Sequence, residues 1–596
     1  MVATTDAATL AIFGKALAAA AQEMGINLVR AAYSTVVREA RDCSAALLDT
    51  EGNVIAQAEM IPMMLAALGE CFAACTRRFP IETIRPGEAL ILNDPYAGGH
   101  HLNDIILFTP IFYDLESGIG IRGSGVSKET DPSNSPESRC PMPVLIGFAG
   151  SLAHHLDIGG GAAGMNSRAT DIYQEGLRLP PMKFDVARDW VAEDGILRRM
   201  IAGNLRTPEK TTGDINAQFA ANDTGLRRLQ ELAGRYGVDG LRTLIPELLA
   251  YTERRARAEI AAIPDGVYHG EDMVDSDGIN PGRLVVRATV TVSGEDIAID
   301  FDGTGPTTKG PFNSPFSSTI AASRAAIRGI FRDSAIPAND GCNRPISVTA
   351  PSGCLLNPTF PAPVRARMQP TSRAYDAIKK ALAPAIPNQV TAPGFDTTSS
   401  LTLAVLRRDG GWGMGDESDS RSSPMPHPPS PSYDMFVDIC GGGLGAGVGY
   451  DGADATDNPV SNCSNTPVEA LEVDHRFCRI IAYELLPDSG GVGQWRGGLG
   501  FRRVYEMLED GVVFSSYSDR FETAAQGLFG GGPGASGSYT LHRDGEVIPL
   551  PMSLNIELRR GDILECRFGG GGGYGDPVTR DPDALERDLR EGKTLR

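Results

Sequence analysis

The chain has 596 residues, of which 41% are hydrophobic and 22% charged, and these fractions are typical of a globular protein rather than a disordered or fibrous one. This length exceeds the usual single domain several-fold, so we expect two to four structural units or one large interwoven body. The formal net charge of -20 would repel a phosphate backbone, and no basic stripe offsets it. The composition therefore argues against nucleic acid as a partner.

Glycine is the compositional outlier, since 70 Gly and 41 Pro favour turns and close backbone approaches over long helical bundles. The 10 cysteines are scattered without a CxxC pair, as is typical of reduced cytosolic thiols. The first residues have no cationic start before their apolar run, and no stretch has the length of a membrane span. We therefore expect a cytoplasmic protein with no secretory signal and no membrane contact.

The first predicted element is an amphipathic helix over residues 6–30, because apolar residues recur there at spacings of three and four behind a capping Thr5 or Asp6. Two short strands are predicted around the turn at 50–53, followed by a helix through CFAACTRRF. Residues 88–160 then contain several strand-like apolar runs joined by polar turns. Function is expected on those turns, since strands hold them in place.

Later elements follow the same reasoning from periodicity and from Gly and Pro. The Ser- and Pro-rich run within 127–143 is predicted to be an exposed loop or lid. The other predicted elements are helices over much of 184–262, strands over 266–305 with a hairpin turn at Gly294-Glu295, helices near 317–333 and 372–383, a flexible Pro-rich crossing at 421–432, and short strands beyond it. The glycine patches in that last part are interpreted mostly as turns.

Together these elements predict the α+β class, a large mixed fold that is β-rich, with a central helical segment and a glycine-rich β part at the C-terminal end. Four regions are predicted, and each takes its name from its content. They are an α+β metal-loop region at 1–183, a helical segment at 184–265, a mixed α/β region at 266–420 and a glycine-rich β region at 421–596.

Four of the eight histidines form two doublets, one in NDPYAGGHHLND and one in SLAHHLDIGGG. A carboxylate follows each doublet, because Asp104 comes three residues after His101 and Asp157 three after His154. Imidazole nitrogens and carboxylate oxygens at such spacing can converge on one cation. The alternative is that these side chains cap turns and satisfy buried carbonyl groups, since HxxD is a short and common pattern.

A nitrogen and oxygen ligand set without thiolate suits Zn, Mn or Fe(II) better than Ca or Mg, and an open position would lower the pKa of a bound water. Glu175, in DIYQEGLRLPP, is a candidate base, although a capping or surface carboxylate is the alternative. The chain has neither a GxxxxGK[ST] phosphate loop nor a GxSxG nucleophile motif. If phosphoryl transfer takes part in the reaction, we expect ATP to bind elsewhere.

Many ordered segments of the chain resemble one known family. They include RAAYSTVVREARDCSAALLDTEGNVIAQAE, LNDPYAGGHHLNDIIL, AHHLDIGGGAAGMNSRATDIYQEGLRLPPMKF, GNLRTPEKTTGDINAQ, LLPDSGGVGQWRGGLGFRR and FGGGGGYGDP. The chain is similar to the hydantoinase B / oxoprolinase family, which contains the B-type subunits of ATP-dependent hydantoinases and lactamases. Related subunits occur in acetone and acetophenone carboxylases.

The resemblance implies a divalent metal bound by His101, Asp104 and His154, with His155 as the alternative to His154 within the doublet. Asp157 would then support the ligands as a catalytic-site residue. Glu175 stays the candidate base from its place in the sequence alone. The resemblance also implies an A-type ATPase partner that holds ATP and Mg and phosphorylates a carbonyl oxygen. The B-type chain would complete the reaction on the activated intermediate.

Three functions remain open at this stage. The first is ATP-dependent hydrolysis of a cyclic amide such as a hydantoin, a lactam or an oxoproline ring. The second is carboxylation of a ketone, and the third is a scaffold that positions the ATPase subunit without chemistry of its own. The chain also departs from many family members by carrying Met60 and Met64 where they have histidines, and by lacking a histidine in TDNPVSNCSNTPVE.

Overall fold

The computed structural model describes residues 6–65, 68–115, 120–121, 143–407 and 432–595. The predicted loop within 127–143 and the Pro-rich crossing at 421–432 lie, apart from their last residue, outside the described residues. The described chain forms helices and four sheets whose strand pairs are antiparallel except for one parallel pair in the second sheet. The α+β prediction is confirmed.

The first sheet has the strand order β2-β1-β6-β4-β3-β7, with β5 pairing β4. Every position of β4 is buried, so this strand is covered on both faces, as in the core of a layered domain. Strands at Glu88–Leu92, Asp104–Tyr113 and Val144–His154 confirm strand-like runs predicted within residues 88–160. The strands of this sheet are β1 (Cys43–Leu48), β2 (Val54–Gln57), β3 (Glu88–Leu92), β4 (Asp104–Tyr113), β5 (Gly120–Ile121), β6 (Val144–His154) and β7 (Met182–Asp185).

The described helices confirm the predicted N-terminal and central helical segments. The Asp6 side chain caps the first helix by accepting a hydrogen bond from the Thr9 amide, which satisfies one of the unpaired donors at a helix start. The helices are α1 (Ala7–Ala31), α2 (Thr35–Arg38), α3 (Pro62–Leu65), α4 (Leu68–Arg78), α5 (Ile196–Ala202), α6 (Pro208–Tyr236), α7 (Val238–Ile260), α8 (Phe316–Gly329), α9 (Met368–Leu382), α10 (Val468–Asp474) and α11 (Pro582–Arg590). Helix α6 packs against α1 and against strands β4 and β6.

A second sheet, in the order β11-β10-β9-β8, packs against helix α9. Its hairpin between β9 and β10 pairs Ser293 with Asp296, which confirms the turn predicted at Gly294-Glu295. The predicted helices near 317–333 and 372–383 correspond to α8 and α9. The strands of this sheet are β8 (Gly266–Ser276), β9 (Pro281–Ser293), β10 (Asp296–Asp300) and β11 (Ile346–Thr349).

The last part of the chain forms a third sheet, β13-β12-β16-β19, and a fourth, β14-β15-β20-β17-β18. Strands β12 and β13 pair directly although they lie on either side of the boundary predicted at 420. The four-region division stays a prediction. The strands are β12 (Ser399–Arg407), β13 (Ser432–Cys440), β14 (Cys478–Leu485), β15 (Phe501–Met507), β16 (Val512–Tyr517), β17 (Ser538–Arg543), β18 (Glu546–Leu550), β19 (Ser553–Leu558) and β20 (Ile563–Phe568).

The glycine patches of the C-terminal part are packed against one another rather than serving mainly as turns. A Cβ atom on Gly571 would lie 2.0 Å from the carbonyl oxygen of Leu444, and one on Gly497 would lie 1.9 Å from that of Gly571. No side chain fits at these positions, because backbones approach there directly. The patches are joined by backbone hydrogen bonds: Gly443 N to Gly569 O (2.9 Å), Gly571 N to Gly498 O (2.9 Å) and Gly573 N to Gly532 O (2.9 Å).

Two large hydrophobic clusters hold these layers together. One runs from Leu10 to Cys463 and joins the first two sheets with their helices, and the other fills the space within the C-terminal sheets. The nine described cysteines are buried, and none of them is joined to another in a disulfide. Their redox state stays a prediction. Among the helices that the structure describes, none combines the length and apolarity needed to cross a bilayer.

Candidate metal centre

The register of the first sheet brings the two predicted metal-binding segments together. Strand β4 begins at Asp104 and the antiparallel strand β6 ends at His154, and these two residues are direct cross-strand partners. Directly opposed residues of an antiparallel pair project to the same face of the sheet. A turn in which the Asp104 amide donates to the His101 carbonyl (3.0 Å) places His101 beside them.

The side chains of His101, Asp104 and His154, here called the His–Asp cluster, meet at nearly equal distances. Nε2 of His101 lies 2.9 Å from Oδ1 of Asp104 and 3.0 Å from Nδ1 of His154. His154 Nδ1 lies 3.1 Å from the same Asp104 oxygen. Ligand atoms about 2.1 Å from an ion and at right angles to one another are separated by about 3.0 Å, so this triangle fits one face of a six-coordinate cation.

Neighbouring groups orient the ligands of the cluster. His101 Nδ1 lies 3.2 Å from both the carbonyl oxygen of Arg365 and Nη1 of Arg367, and Nε2 faces the cluster. In the tautomer that donates to the Arg365 carbonyl, the lone pair is on Nε2. Metal-binding histidines commonly use such a backbone carbonyl to fix the ring and its tautomer. The Arg367 guanidinium donates to Oδ2 of Asp104 (2.7 Å), which leaves Oδ1 turned toward the two imidazoles. The side chains present therefore fit a bound divalent cation.

Burial and charge favour the metal-binding protonation states of His101 and Asp104. Burial, together with the positive charge of Arg367, holds the pKa of His101 well below its usual value, so the ring stays neutral. Burial opposes ionisation of Asp104, but interactions with His101 and the positive charge of Arg367 hold its pKa well below the ordinary range. Neutral imidazole and ionised carboxylate are the forms that bind metals.

Asp42 adds a second carboxylate that sequence reasoning missed. Its Oδ2 lies 3.7 Å from His154 Nδ1, because β1 begins at Cys43, whose partner in the register is Ala153, beside His154. Burial raises the pKa of Asp42 to about 6, and the positive charges nearby oppose this only in part. The sequence gives little indication that Asp42 belongs to the site, because it is far along the chain from both histidine doublets.

A cavity of about 30 Å³ adjoins the cluster, which is room for an ion with one or two waters. Both segments in which the chain departs from the family pattern reach this cavity, through Met64 and Ser461. The full lining consists of Asp42, Ile61, Met63, Met64, His101, His154, Arg367, Met368, Thr398, Ser400, Ile439, Ser461 and Tyr517. Asp157 and Glu175 are absent from this described lining.

The second histidine of one doublet and the first of the other point elsewhere. His155 Nε2 lies 3.1 Å from the Gln218 side-chain oxygen, and His100 Nδ1 lies 2.9 Å from the Ser318 hydroxyl. Both are fully buried. The geometry therefore favours His154 over His155 as the candidate ligand.

Asp157 and Glu175 make contacts with backbone amides. Asp157 accepts hydrogen bonds from the amides of Gly159 (2.9 Å) and Thr207 (3.0 Å), which places it at the start of helix α6. Glu175 accepts from the amides of Val364 (3.0 Å) and Arg365 (2.8 Å). Because the Arg365 carbonyl contacts His101, the 364–365 segment connects Glu175 to the cluster. Roles for both residues in catalysis stay predictions.

The glycines beside the doublets allow close contacts between backbone segments. A Cβ on Gly99 would lie 2.8 Å from the carbonyl oxygen of Asp94, and one on Gly160 would lie 2.8 Å from that of Gln174. Gly160 also has a φ of +89°, in the left-handed region that favours glycine. The close approach that these glycines allow in the structure is between loops of the chain itself.

Glu175→Gln tests the buried carboxyl group through its pH dependence. Burial raises the pKa of Glu175 to about 7 from its ordinary value of 4.5, so folding favours the protonated form. The stability contributed by this proton is complete below pH 4.5 and is lost as the pH rises through 7. We expect the thermal midpoint of Glu175→Gln to rise relative to wild type between pH 5 and pH 8.

The matched control is the exposed residue Glu193, changed to Gln, for which the difference from wild type should not vary with pH. Melting curves of the three proteins at both pH values make the comparison. A Glu175→Gln difference that is the same at the two pH values would contradict the expectation.

Comparison with known proteins places these observations in a family. The profile of the hydantoinase B/oxoprolinase family matches residues 6–577, and the chain belongs to that family. A relative in Pseudomonas sp. strain NS671, named as the B-type chain of a D-/L-hydantoinase, is 31% identical over 98% of this chain and 93% of its own length.

Two solved structures share the fold. The ATP-dependent caprolactamase of Pseudomonas jessenii superimposes with a TM-score of 0.82 at 28% identity, over 99% of this chain and 95% of that one. An acetone carboxylase in its nucleotide-free form also gives a TM-score of 0.82, at 16% identity, over 99% of this chain and 78% of that one. At that identity the second likeness shows the fold alone.

Proposed function

We propose that this chain is the B-type subunit of an ATP-dependent cyclic amide hydrolase and that His101, Asp104 and His154 hold its divalent metal. The observation that carries the proposal is the His–Asp cluster, whose three donor atoms lie 2.9 to 3.1 Å apart in a buried site. The family membership and the likeness to an ATP-dependent caprolactamase support ring-amide hydrolysis as the reaction.

A partner subunit is part of the proposal. The relative in Pseudomonas sp. is named as one subunit of a hydantoinase, and the sequence of this chain contains no phosphate-binding loop. An A-type ATPase subunit would bind ATP with Mg and phosphorylate the amide oxygen, which turns a poor electrophile into a good one. The phosphorylated ring would then reach the His–Asp cluster.

Several residues of this chain have distinct proposed roles at the site. A divalent cation held by His101, Asp104 and His154 would supply Lewis acidity to the reaction. Arg367 fixes Asp104 by its 2.7 Å hydrogen bond and adds a positive charge beside the developing negative charge of the reacting carbonyl. The Arg365 carbonyl orients His101, and Asp42 provides a second carboxylate next to His154. The burial of the cluster strengthens each of these interactions.

The direct test is reconstitution of the assembled enzyme. The ATPase subunit is first identified by co-purification with this chain, and the two proteins are then co-expressed. Ring opening of ε-caprolactam, hydantoin and 5-oxoproline is measured in the presence of ATP and Mg. We expect ATP-dependent opening of at least one ring, accompanied by stoichiometric release of phosphate. Omission of ATP or of the partner should abolish the activity.

Two alternative outcomes would replace this proposal. Consumption of acetone or an aryl ketone that requires bicarbonate, with no opening of any ring amide, would assign ketone carboxylation. If the enzyme keeps full ring-opening activity after the metal has been removed from this chain, the chain would be assigned a scaffold role instead. Metal analysis of the purified chain alone separates the second outcome from the main proposal.

A further inference from the structure

A second, larger cleft shares one wall residue with the cavity beside the His–Asp cluster. Ile61 lines both spaces, and the larger one has a volume of about 850 Å³. Its lining comes from helix α1, from Arg41 and from the segments at 59–61 and 456–465. Cavities that bind small organic ligands usually measure about 300–1000 Å³, so this space, here called the Arg30–Arg41 cleft, has room for one.

The two arginines of the cleft have no counter-charge. Within the part of the chain that the structure describes, the guanidinium groups of Arg30 and Arg41 make neither an ion pair nor a hydrogen bond, and both residues are exposed. Arg38, close to Arg41 in the chain, instead pairs with Asp474 at 3.3 Å. Glu59 is the one acidic residue of the described lining, so the cleft is positively charged in a chain whose net charge is -20.

The backbone fixes the position of Arg41. Its φ is +58°, in the left-handed region that is unfavourable for a residue with a Cβ atom. Asp42, the next residue, donates its amide to the Val36 carbonyl (3.1 Å) and is buried beside His154, whereas Arg41 stays exposed in the cleft. Non-glycine residues held in this region are concentrated at ligand sites. One turn therefore supplies a carboxylate to the candidate metal centre and a cation to the cleft.

Two hydroxyl groups add neutral donors to the same lining. Thr456 and Ser464 are half-buried, and among the described residues neither side chain has a hydrogen-bond partner. Backbone contacts hold both residues, since Thr456 exchanges two hydrogen bonds with Gly442 and the Ser464 amide donates to the Ala40 carbonyl (2.9 Å). Guanidinium and hydroxyl groups are the donors that bind the oxygens of a phosphate group.

The remaining part of the lining suits an apolar group. Ile26 and Val29 precede Arg30 by four residues and by one on helix α1, and Met60 and Ile61 follow from the neighbouring segment. Residues four apart on a helix are neighbours on its surface, so Ile26 and Arg30 lie on one face. A ligand that fits this lining has an apolar body and an anionic end.

We propose that the Arg30–Arg41 cleft binds a small organic phosphate, with the phosphate group held by the two arginines and the two hydroxyl groups. Two sources share this chemistry. One is the phosphorylated ring made by the partner subunit, and this source rests on the function proposed above. The other is a free phosphate ester that acts as an effector. Because Ile61 lines both spaces, either ligand would lie next to the candidate metal centre.

Calorimetric titration of phenyl phosphate into the purified chain tests the site. The chain is first treated with a chelator, so that phosphate cannot bind to a metal at the His–Asp cluster. We expect one phenyl phosphate to bind per chain and phenol, which lacks the phosphate group, not to bind. Arg30→Met and Arg41→Met should each weaken the binding by about tenfold, because each removes one charge-assisted contact to phosphate.

Arg198→Met is the matched control, because Arg198 is an exposed arginine on helix α5, outside the cleft. It should bind phenyl phosphate as the wild type does. No binding by the wild-type chain, or equal affinities of the wild type and both cleft variants, would overturn the proposal. Arg30 lies on a regular helix, so Arg30→Met decides the matter if Arg41→Met does not fold.

Steady-state kinetics of the assembled enzyme distinguish the two sources. If the ligand is the phosphorylated ring, Arg41→Met should lower kcat/KM for ring opening by about tenfold. If it is a free effector, both enzymes should open the ring equally, and added phenyl phosphate should change the rate of the wild type alone. Either result supports the site. Equal rates of both enzymes, with and without phenyl phosphate, would overturn the proposal.

Binding and activity also separate this inference from the proposed function. Phenyl phosphate binding by the chain, with no ring opened by the assembled enzyme, would keep the site as that of an effector and remove the proposed function. Ring opening without phenyl phosphate binding would keep the proposed function and overturn the site.

Discussion

Replacement of His101 or His154 by Gln is expected to remove the metal from the chain and to lower ring-opening activity on the order of 1000-fold. Each substitution deletes one of three donor atoms that lie within 3.1 Å of one another, so the remaining pair cannot hold the ion tightly. Metal content per chain, measured by plasma emission spectrometry, and the steady-state rate should fall together.

The two doublets supply their own controls. His100→Gln and His155→Gln change the sequence neighbour of each proposed ligand, and both of these histidines contact other groups, Ser318 and Gln218. We expect them to keep the metal and to lose some stability through their buried hydrogen bonds, about 1–2 kcal/mol. Loss of metal from His155→Gln with retention in His154→Gln would assign the ligand to the other member of the doublet.

Removal of the buried Arg503 side chain is expected to destabilise the C-terminal sheets by about 3–5 kcal/mol, because it leaves the buried Asp438 carboxylate without its cation. Both residues are fully buried, and Arg503 pairs with Asp438 while Tyr505 donates to the same carboxylate at 2.6 Å. Asp438 lies in β13 and Arg503 in β15, so this contact joins the third sheet to the fourth.

The neighbouring residue on the same strand gives the matched control for Arg503→Met. Arg502 pairs with Glu484 at 2.5 Å, but the two side chains are 31% and 54% exposed, and such surface pairs contribute about 0.5 kcal/mol. Urea unfolding of Arg503→Met and Arg502→Met compares the two sites directly. Equal shifts of the unfolding midpoint would contradict a special role for the buried pair.

Local patterns predicted much of the secondary structure because short-range physics determines it. The apolar spacing and the Asp6 cap predicted helix α1, and the turn residues at Gly294-Glu295 predicted the hairpin between β9 and β10. The glycine patches were interpreted as turns because glycine is common there. Their mutual packing depends on contacts between segments more than 40 residues apart, such as Gly443 with Gly569, which no local pattern reports.

For the candidate site too, some features were predictable from local sequence and others depend on the fold. Spacing indicates the two doublets and the carboxylates that follow them, and the family resemblance points to His101, Asp104 and His154 with His155 as the alternative to His154. The pairing of Asp104 with His154 across β4 and β6 is a matter of strand register, which local spacing does not specify. Asp42, Arg365 and Arg367 come to the cluster from distant parts of the chain, and no spacing rule links them to the doublets.

Composition and local spacing were enough to predict the α+β class, to show that the sequence has no phosphate-binding loop and to nominate candidate metal-binding side chains, because these properties depend on nearby residues. Three features come from the fold: which histidine of each doublet faces Asp104, the hydrogen bond from Arg367 to that carboxylate, and the methionines and isoleucines that line the adjoining cavity. These features depend on strand register and on contacts between distant segments, where burial sets the balance of charge and hydrogen bonding.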